Sequence, residues 1–294
     1  MSKSRNRWMV NFILVIAALA FLGVSMFPLI AAFNSREPSN SETASNQIAS
    51  NNNTTPSPAQ EISRLQKNLQ FYERLSQEEP DNEIALRNLV LTRLELIKLK
   101  QGDIKTAIQD LEKLVKLAPE TLQYAVLLGQ TKQQIGDSEG AAQTFRSALK
   151  VNPGNTNLIQ AMVNLQLQQK RPKAAISLLQ DTLSAANKPN NIQPSNVDIN
   201  ALQTLLGNVY ASEKRYGEAI AAYDKAIKND KKDFRPVLAK AMLLKEQGKT
   251  DEAKPLFDTA SSLAPAQSKD EIERLRQPTR APTSSPEASA TPKK

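Results

Sequence analysis

The side chains of this chain are poor in reactive groups. Cysteine and histidine are both absent from its 294 residues, which removes thiolate nucleophiles, disulfides, and the commonest general base and metal ligand in one step. No Gly-rich phosphate loop and no nucleophile elbow occurs, so neither nucleotide chemistry nor acyl transfer has its usual scaffold. The 30 Asp and Glu residues fall mostly at helix starts and on polar faces, where capping and solvation explain them. Glu139 and Glu218 are examples, each just before a small residue (Ala141, Ala219) in the first turn of a helix. The residues therefore point away from an enzyme, from a metal or other cofactor, and from a small-molecule substrate. The net charge of +8 is not gathered into a basic face with interleaved aromatics, so a nucleic-acid partner is not expected either. What remains is binding to protein, and the elements that would position such a site.

The first of these elements is apolar. Phe12 to Phe33 is an uncharged run of 22 residues behind Lys3, Arg5 and Arg7, with Trp8 at the interfacial position. A run of that length crosses a ~30 Å hydrocarbon core as a helix, so residues 1–33 read as a basic N-terminus and a transmembrane helix. The excess of positive charge before the run places the N-terminus in the cytoplasm and the remainder outside it, in a periplasm or thylakoid lumen. The alternative is a signal peptide cleaved after Ile30-Ala31-Ala32, which would release an exported soluble protein. Residues 34–56 are rich in Ser, Asn and Thr and read as a disordered linker, as do the Pro-rich residues 278–294.

Between these flanks, helical periodicity recurs with a fixed register. Ser57-Pro58-Ala59-Gln60 reads as a capping box before a helix that ends near Glu79-Pro80. Small residues then stand at Ala107, Ala141, Ala175, Ala219 and Ala253, each followed four residues later by Leu111, Phe145, Leu179, Tyr223 or Phe257. The interval is 34 residues except for one of 44, where a Pro/Asn-rich bulge at residues 187–194 enters. Ser195 looks like the cap that restarts the next helix. Ser268-Lys269-Asp270-Glu271 reads as a second capping box, opening a final helix through 277.

A 34-residue helix–turn–helix with small residues at fixed crossings resembles the tetratricopeptide repeat (TPR) family. Leu206-Gly207-Asn208-Val209-Tyr210 matches the family's Leu-Gly-x-x-Tyr, and Leu128-Gly129 matches it in part. Turn glycines stand at Gly102, Gly136 and Gly248, and closing prolines at Pro119, Pro153 and Pro265. Lys170, Lys214 and Asn187 depart from the punctuating residues, and Glu95 and Val163 from the small residue at the close helix contact. The resemblance implies an all-α fold, a right-handed superhelical solenoid of antiparallel helix pairs over residues 57–277. A half-unit at 57–87 precedes repeats at about 88–121, 122–155, 156–189, 200–233 and 234–267, and a capping helix follows at 268–277.

In this family the inner groove is lined by the first helix of each repeat. Carried onto this chain, those positions are Gln123, Gln130, Gln133 and Gln134 in the second repeat, and Asn157, Gln160, Asn164 and Gln168 in the third. The fourth contributes Thr204, Asn208 and Ser212. The first repeat has Leu89, Leu96 and Leu99 there, the last Arg235, Leu238 and Met242. Neutral amides both donate and accept, so they can bond the backbone of an extended peptide without requiring a charge. The family's clamp for a terminal carboxylate uses Lys and Arg, which the middle of this stripe lacks. Tyr210 and Tyr223 occupy family core positions, and Tyr216 falls in an inter-helix turn. The resemblance thus implies a scaffold that binds a protein or extended peptide. Its anchor and Ser/Asn/Pro-rich flanks resemble cyanobacterial TPR proteins that assemble membrane complexes such as photosystem I; other anchored members present apocytochromes for haem attachment.

Overall fold

The computed structural model describes residues 57–186 and 197–277. Among them the chain is all-helical, with twelve helices and no strand. Two compact units divide the chain, Met1–Asp137 and Ser138–Lys294. The first holds α1 (Pro58–Glu78), α2 (Glu83–Lys98), α3 (Ile104–Leu117) and α4 (Leu122–Gln134). The second holds α5 (Ser138–Val151), α6 (Thr156–Gln168), α7 (Pro172–Ala186) and α8 (Ile199–Ser212), then α9 (Tyr216–Asn229), α10 (Phe234–Glu246), α11 (Thr250–Leu263) and α12 (Ala266–Arg276). The expected transmembrane segment, linker, inter-repeat bulge, Ser195 cap and Pro-rich tail lie outside the described residues. Among the described residues, no helix is long and apolar enough to cross a membrane.

Local sequence sets the helix starts. Ser57 Oγ accepts from the Gln60 N–H (3.4 Å) and Gln60 Oε1 accepts from the Ser57 N–H (2.9 Å), with Pro58 at the first helical position. This reciprocal pair satisfies two amides that would otherwise lack partners. The helix of the first repeat begins earlier than Asn88: Asn82 caps it, accepting from the Ala85 N–H at 2.9 Å. Helix α8 starts at Ile199 under Asp198, whose carboxylate accepts from the Ala201 N–H at 2.9 Å. The expected box at Ser268 does not form. Helix α12 already begins at Ala266 after Pro265, without a side-chain cap. Pro265 is itself the residue before the first turn, in extended backbone (φ −63°, ψ 153°).

The inter-helix turns share one closure. In each, the residue in the left-handed region sends its N–H three residues back, and the next N–H reaches five residues back, as in Lys170→Leu167 (2.9 Å) and Arg171→Gln166 (2.8 Å). The left-handed positions are Lys100, Gly136, Lys170, Lys214 and Gly248. Gly102 is therefore not the turn residue of the first repeat. There Lys100 turns the chain (φ 60°), and Gly102 is needed for room, since a Cβ on it would sit 3.0 Å from Ile97 Cγ1.

The crossing residues Ala107, Ala141, Ala175, Ala219 and Ala253 are all buried, as are Leu111, Phe145, Leu179, Tyr223 and Phe257. Small side chains let two helix backbones approach, and the bulky residue one turn later fills the space beside them. In the first unit, Leu86, Leu89 and Val90 of α2, Leu111 and Leu114 of α3, and Tyr124 of α4 form the core, with Leu69 and Tyr72 of α1 against it. Leu89 and Leu96 are thus core residues rather than lining of an open groove. Arg93 of α2 bridges α1 and α3 through Glu73 (2.7 Å) and Asp110 (2.8 Å). In the second unit, Ile159, Val163, Leu179, Leu206, Tyr210 and Tyr223 share one core. Val163, where the family has a small residue, is fully buried there. Tyr216 is the first residue of α9 and packs half-buried against that core. Ile272 of α12 closes a further cluster with Ala253 and Phe257.

Candidate functional site

The first helices of successive repeats in the second unit lie side by side: α6 packs on α8, and α8 on α10. Their starts are tied together. Asn155 caps α6 by accepting from the Leu158 N–H (3.0 Å), and Thr156 Oγ1 accepts from the Asp198 N–H (3.1 Å) at the head of α8. The Arg235 guanidinium at the head of α10 donates to Asp198 (3.1 Å) and to both oxygens of Asp233 (2.9 and 2.7 Å). Asn200 Nδ2 also reaches Asp233 (3.4 Å). Burial would push the Asp233 carboxyl up, but the bonds from Arg235 and Asn200 hold it below its ordinary value. The hydrogen bonds to Asp233 and Asp198 likewise raise Arg235 above its ordinary value. Arg235 therefore holds the scaffold and is not a free cation on its face.

The amides of α6 follow one stripe, at spacings of three, four and four residues. Asn157 is exposed and Gln160 and Asn164 are half-buried. None of these three side chains hydrogen-bonds another described residue. Gln168, exposed, completes the stripe. On α8 the picture is mixed. Asn208 is exposed, and its Oδ1 accepts from the hydroxyl of buried Tyr223 at 2.8 Å, so its NH2 group is left pointing away as a donor pair. Thr204 and Ser212 donate their hydroxyls to their own helix, to the Asn200 carbonyl (2.7 Å) and the Val209 carbonyl (2.8 Å). They can only accept from a ligand. On α10, Leu238 is half-buried and Met242 exposed, which adds an apolar margin to the face.

The remaining candidates, Gln123, Gln130, Gln133 and Gln134, sit on α4 of the first unit. Gln123 and Gln134 are exposed, and Gln133 is half-buried. Gln130 is also half-buried, with its Oε1 enclosed and without a hydrogen-bond partner. The part of the arrangement that sequence reading missed is the Tyr223 hydroxyl. Tyr223 reads as a core residue, but a buried Tyr hydroxyl needs an acceptor, and Asn208, the residue after the crossing glycine, is in reach. Gly207 makes this possible, because a Cβ there would lie 2.4 Å from Tyr223 Cε1.

The side chains of this face are amides and hydroxyls, beside an Asp–Arg cluster that is engaged within the protein. No group of three or more metal-ligating side chains occurs among the described residues. Residues 133–193 and 210–275 match one tetratricopeptide-repeat family, and residues 96–156 match a second. No curated protein matches the chain. Among solved structures, yeast Tom70 is similar at a TM-score of 0.51 and 15% identity, covering 74% of this chain and 46% of Tom70. A TPR protein of Thermus thermophilus is 22% identical (TM-score 0.41), with 62% of this chain and 92% of that one covered. YrrB, described as a TPR protein with an unusual peptide-binding site, is 14% identical (TM-score 0.37), with 69% and 97% covered. The likeness to Tom70 shows the fold.

Proposed function

We propose, from the premise that the chain is built of tetratricopeptide repeats, that it is a non-catalytic scaffold whose α6–α8 face binds an extended polypeptide. The observation that carries this reading is the row Asn157, Gln160 and Asn164, whose amides have no described partner, beside Asn208, whose amide is oriented by Tyr223. An extended peptide exposes one N–H and one C=O per residue. A row of amides on a rigid helix pair meets both without imposing a charge. Rigidity matters because a preformed face loses less conformational entropy on binding than a loop would. The glutamines of α4 would offer a surface of the same kind within the first unit.

The second part of the proposal is a tether. The uncharged run Phe12–Phe33 behind three basic residues supports a single-pass anchor with a cytoplasmic N-terminus and an extracytoplasmic repeat region. Anchoring confines the binding face near the membrane surface and raises its effective concentration for membrane-bound partners. The role that fits is an assembly or biogenesis factor for a membrane protein complex. The alternative reading is an exported adaptor of envelope or secretion machinery, freed by cleavage after Ala32. Intact-mass measurement separates them: a mature chain that begins near Phe33 rules out the anchor. In sealed membranes, protease added on the extracytoplasmic side should digest the repeat region, and its survival there would reverse the topology.

The binding face is tested by pull-down from solubilised membranes. Asn157→Ala with Asn164→Ala should lose the captured polypeptides while leaving the thermal midpoint within about 1 °C, since neither side chain bonds the protein. Equal capture by the double variant would remove the α6 face from the account.

A further inference from the structure

A second feature of the second unit lies apart from the amide face. Helices α5, α6 and α7 enclose an open cavity of about 430 Å³, within the range of about 300–1,000 Å³ usual for ligand sites. Leu149, Met162, Leu165 and Leu178 form its apolar lining, and three cations stand around it: Arg146 and Lys150 of α5, and Arg171 at the head of α7. Gln166 and Asn164 are two residues apart on α6, about 200° around a helix of 3.6 residues per turn. The cavity therefore opens on nearly the opposite side of α6 from the amide stripe.

Three observations describe what the cavity would hold. Its rim is of one sign. Lys150 and Arg171 have no ion pair among the described residues, and Arg146 pairs only with exposed Glu139 at 3.1 Å, a surface contact easily exchanged. Its floor is apolar and would take aliphatic side chains. Within the lining, Gln166 Oε1 is enclosed and without a hydrogen-bond partner. A buried acceptor left unpaired is costly, and an incoming N–H would relieve it. A fatty-acid carboxylate supplies the negative charge but not that donor, and a phosphate has no aliphatic part for the apolar floor, whereas a polypeptide supplies a backbone N–H at every residue but proline.

We infer that this cavity is a second docking site, for an acidic polypeptide segment in which aliphatic residues alternate with Asp or Glu. In extended conformation, alternate side chains point to opposite faces. The aliphatic ones enter the cavity, a backbone N–H donates to Gln166 Oε1, and the carboxylates, on the outer face of the segment, are met by the long side chains of Lys150, Arg171 and Arg146 reaching over it from the rim. The charge steers the encounter and the apolar floor retains the segment. This site is independent of the amide face, so one chain could hold two segments of a partner, or two partners, at once.

The test uses the purified full chain in zwitterionic-lipid nanodiscs and a short fluorescein-labelled peptide of alternating Glu and Leu, followed by polarisation. The peptide should bind, with affinity falling as salt rises, and the matching Lys/Leu peptide should not. Lys150→Glu with Arg171→Glu should weaken binding about tenfold or more. Gln166→Leu should weaken it several-fold without lowering the thermal midpoint, because it removes an unpaired buried acceptor. Asn157→Ala with Asn164→Ala should leave this binding unchanged, which separates the two sites. No binding by the parent chain, equal binding of the Lys/Leu peptide, or unaltered affinity in Lys150→Glu/Arg171→Glu would overturn the inference. So would displacement of the peptide by vesicles containing phosphatidylglycerol but not by phosphatidylcholine vesicles, which would make the cavity a lipid site.

Discussion

Replacement of Gly207 by alanine isolates the contact on which the α8 part of the proposed binding face depends. The added Cβ would stand 2.4 Å from Tyr223 Cε1 and 2.6 Å from Cδ1, against about 3.5–4.0 Å for an unstrained carbon contact. The ring would have to retreat by more than about 1 Å, and Tyr223 is 2% exposed, so little free space receives it. Overpacking of this kind costs about 1–3 kcal/mol. Moving the ring also stretches the 2.8 Å bond from its hydroxyl to Asn208, worth about 1 kcal/mol. Against this, alanine gains about 1 kcal/mol of helix propensity over glycine. The net loss should be about 1–3 kcal/mol, read by urea denaturation followed by far-UV circular dichroism, with a midpoint of thermal unfolding lower by about 2–4 °C per kcal/mol. In a Tyr223→Leu background the same substitution should be neutral or stabilising, because the clash is gone. A Gly207→Ala chain as stable as the parent, or an equal loss in both backgrounds, would refute the argument from close approach.

Other outcomes follow from the same physics. Lys170→Gly and Lys214→Gly, at φ 57° and 60°, should each raise stability by roughly 0.5–1 kcal/mol, since glycine adopts left-handed backbone without the Cβ penalty; a loss in urea titration would contradict it. Asn208→Ala should lower stability by about 1 kcal/mol as well as weakening partner capture, because it orphans the Tyr223 hydroxyl; thermal unfolding that matches the parent's would show the bond to be idle. The Asp233 carboxyl is held below the ordinary aspartate value of 3.8. Its stabilising contribution is therefore complete at neutral pH and is lost as pH falls below that value and through the folded-state pKa. Asp233→Asn should flatten that part of the acid-unfolding curve, and a superimposable curve would remove the Arg235 clasp as its cause.

The fold was legible where spacing alone carries the information. Small residues at intervals of 34, with one of 44, each followed four later by a bulky one, mark where two helices cross, and Ala107, Ala141, Ala175, Ala219 and Ala253 are buried accordingly. Turn geometry was legible only where glycine marks it. Lys100, Lys170 and Lys214 occupy the left-handed position with an ordinary side chain, so Gly102 drew attention that belongs to Lys100. The start of α2 was masked because Asn82 follows Pro80 in what reads as a turn, yet it caps the next helix. The amide row on α6 could be placed by periodicity, but the state of each amide could not. That Thr204 and Ser212 donate to their own helix, that Asn208 is bonded to Tyr223, and that Arg235 is engaged by Asp198 and Asp233 all depend on neighbours distant in the chain. The cationic cavity depends on three helices at once, and its residues share no period.

The most direct test of the central claim is site-specific photo-crosslinking in native membranes. A photoactivatable residue placed at Asn164, on the amide face, should yield a discrete polypeptide adduct that unlabelled partner displaces. The same group at exposed Thr259 on α11, outside both the amide face and the cavity, should yield none. Adducts of equal yield from both positions, or none from Asn164, would contradict a binding face on α6 and α8.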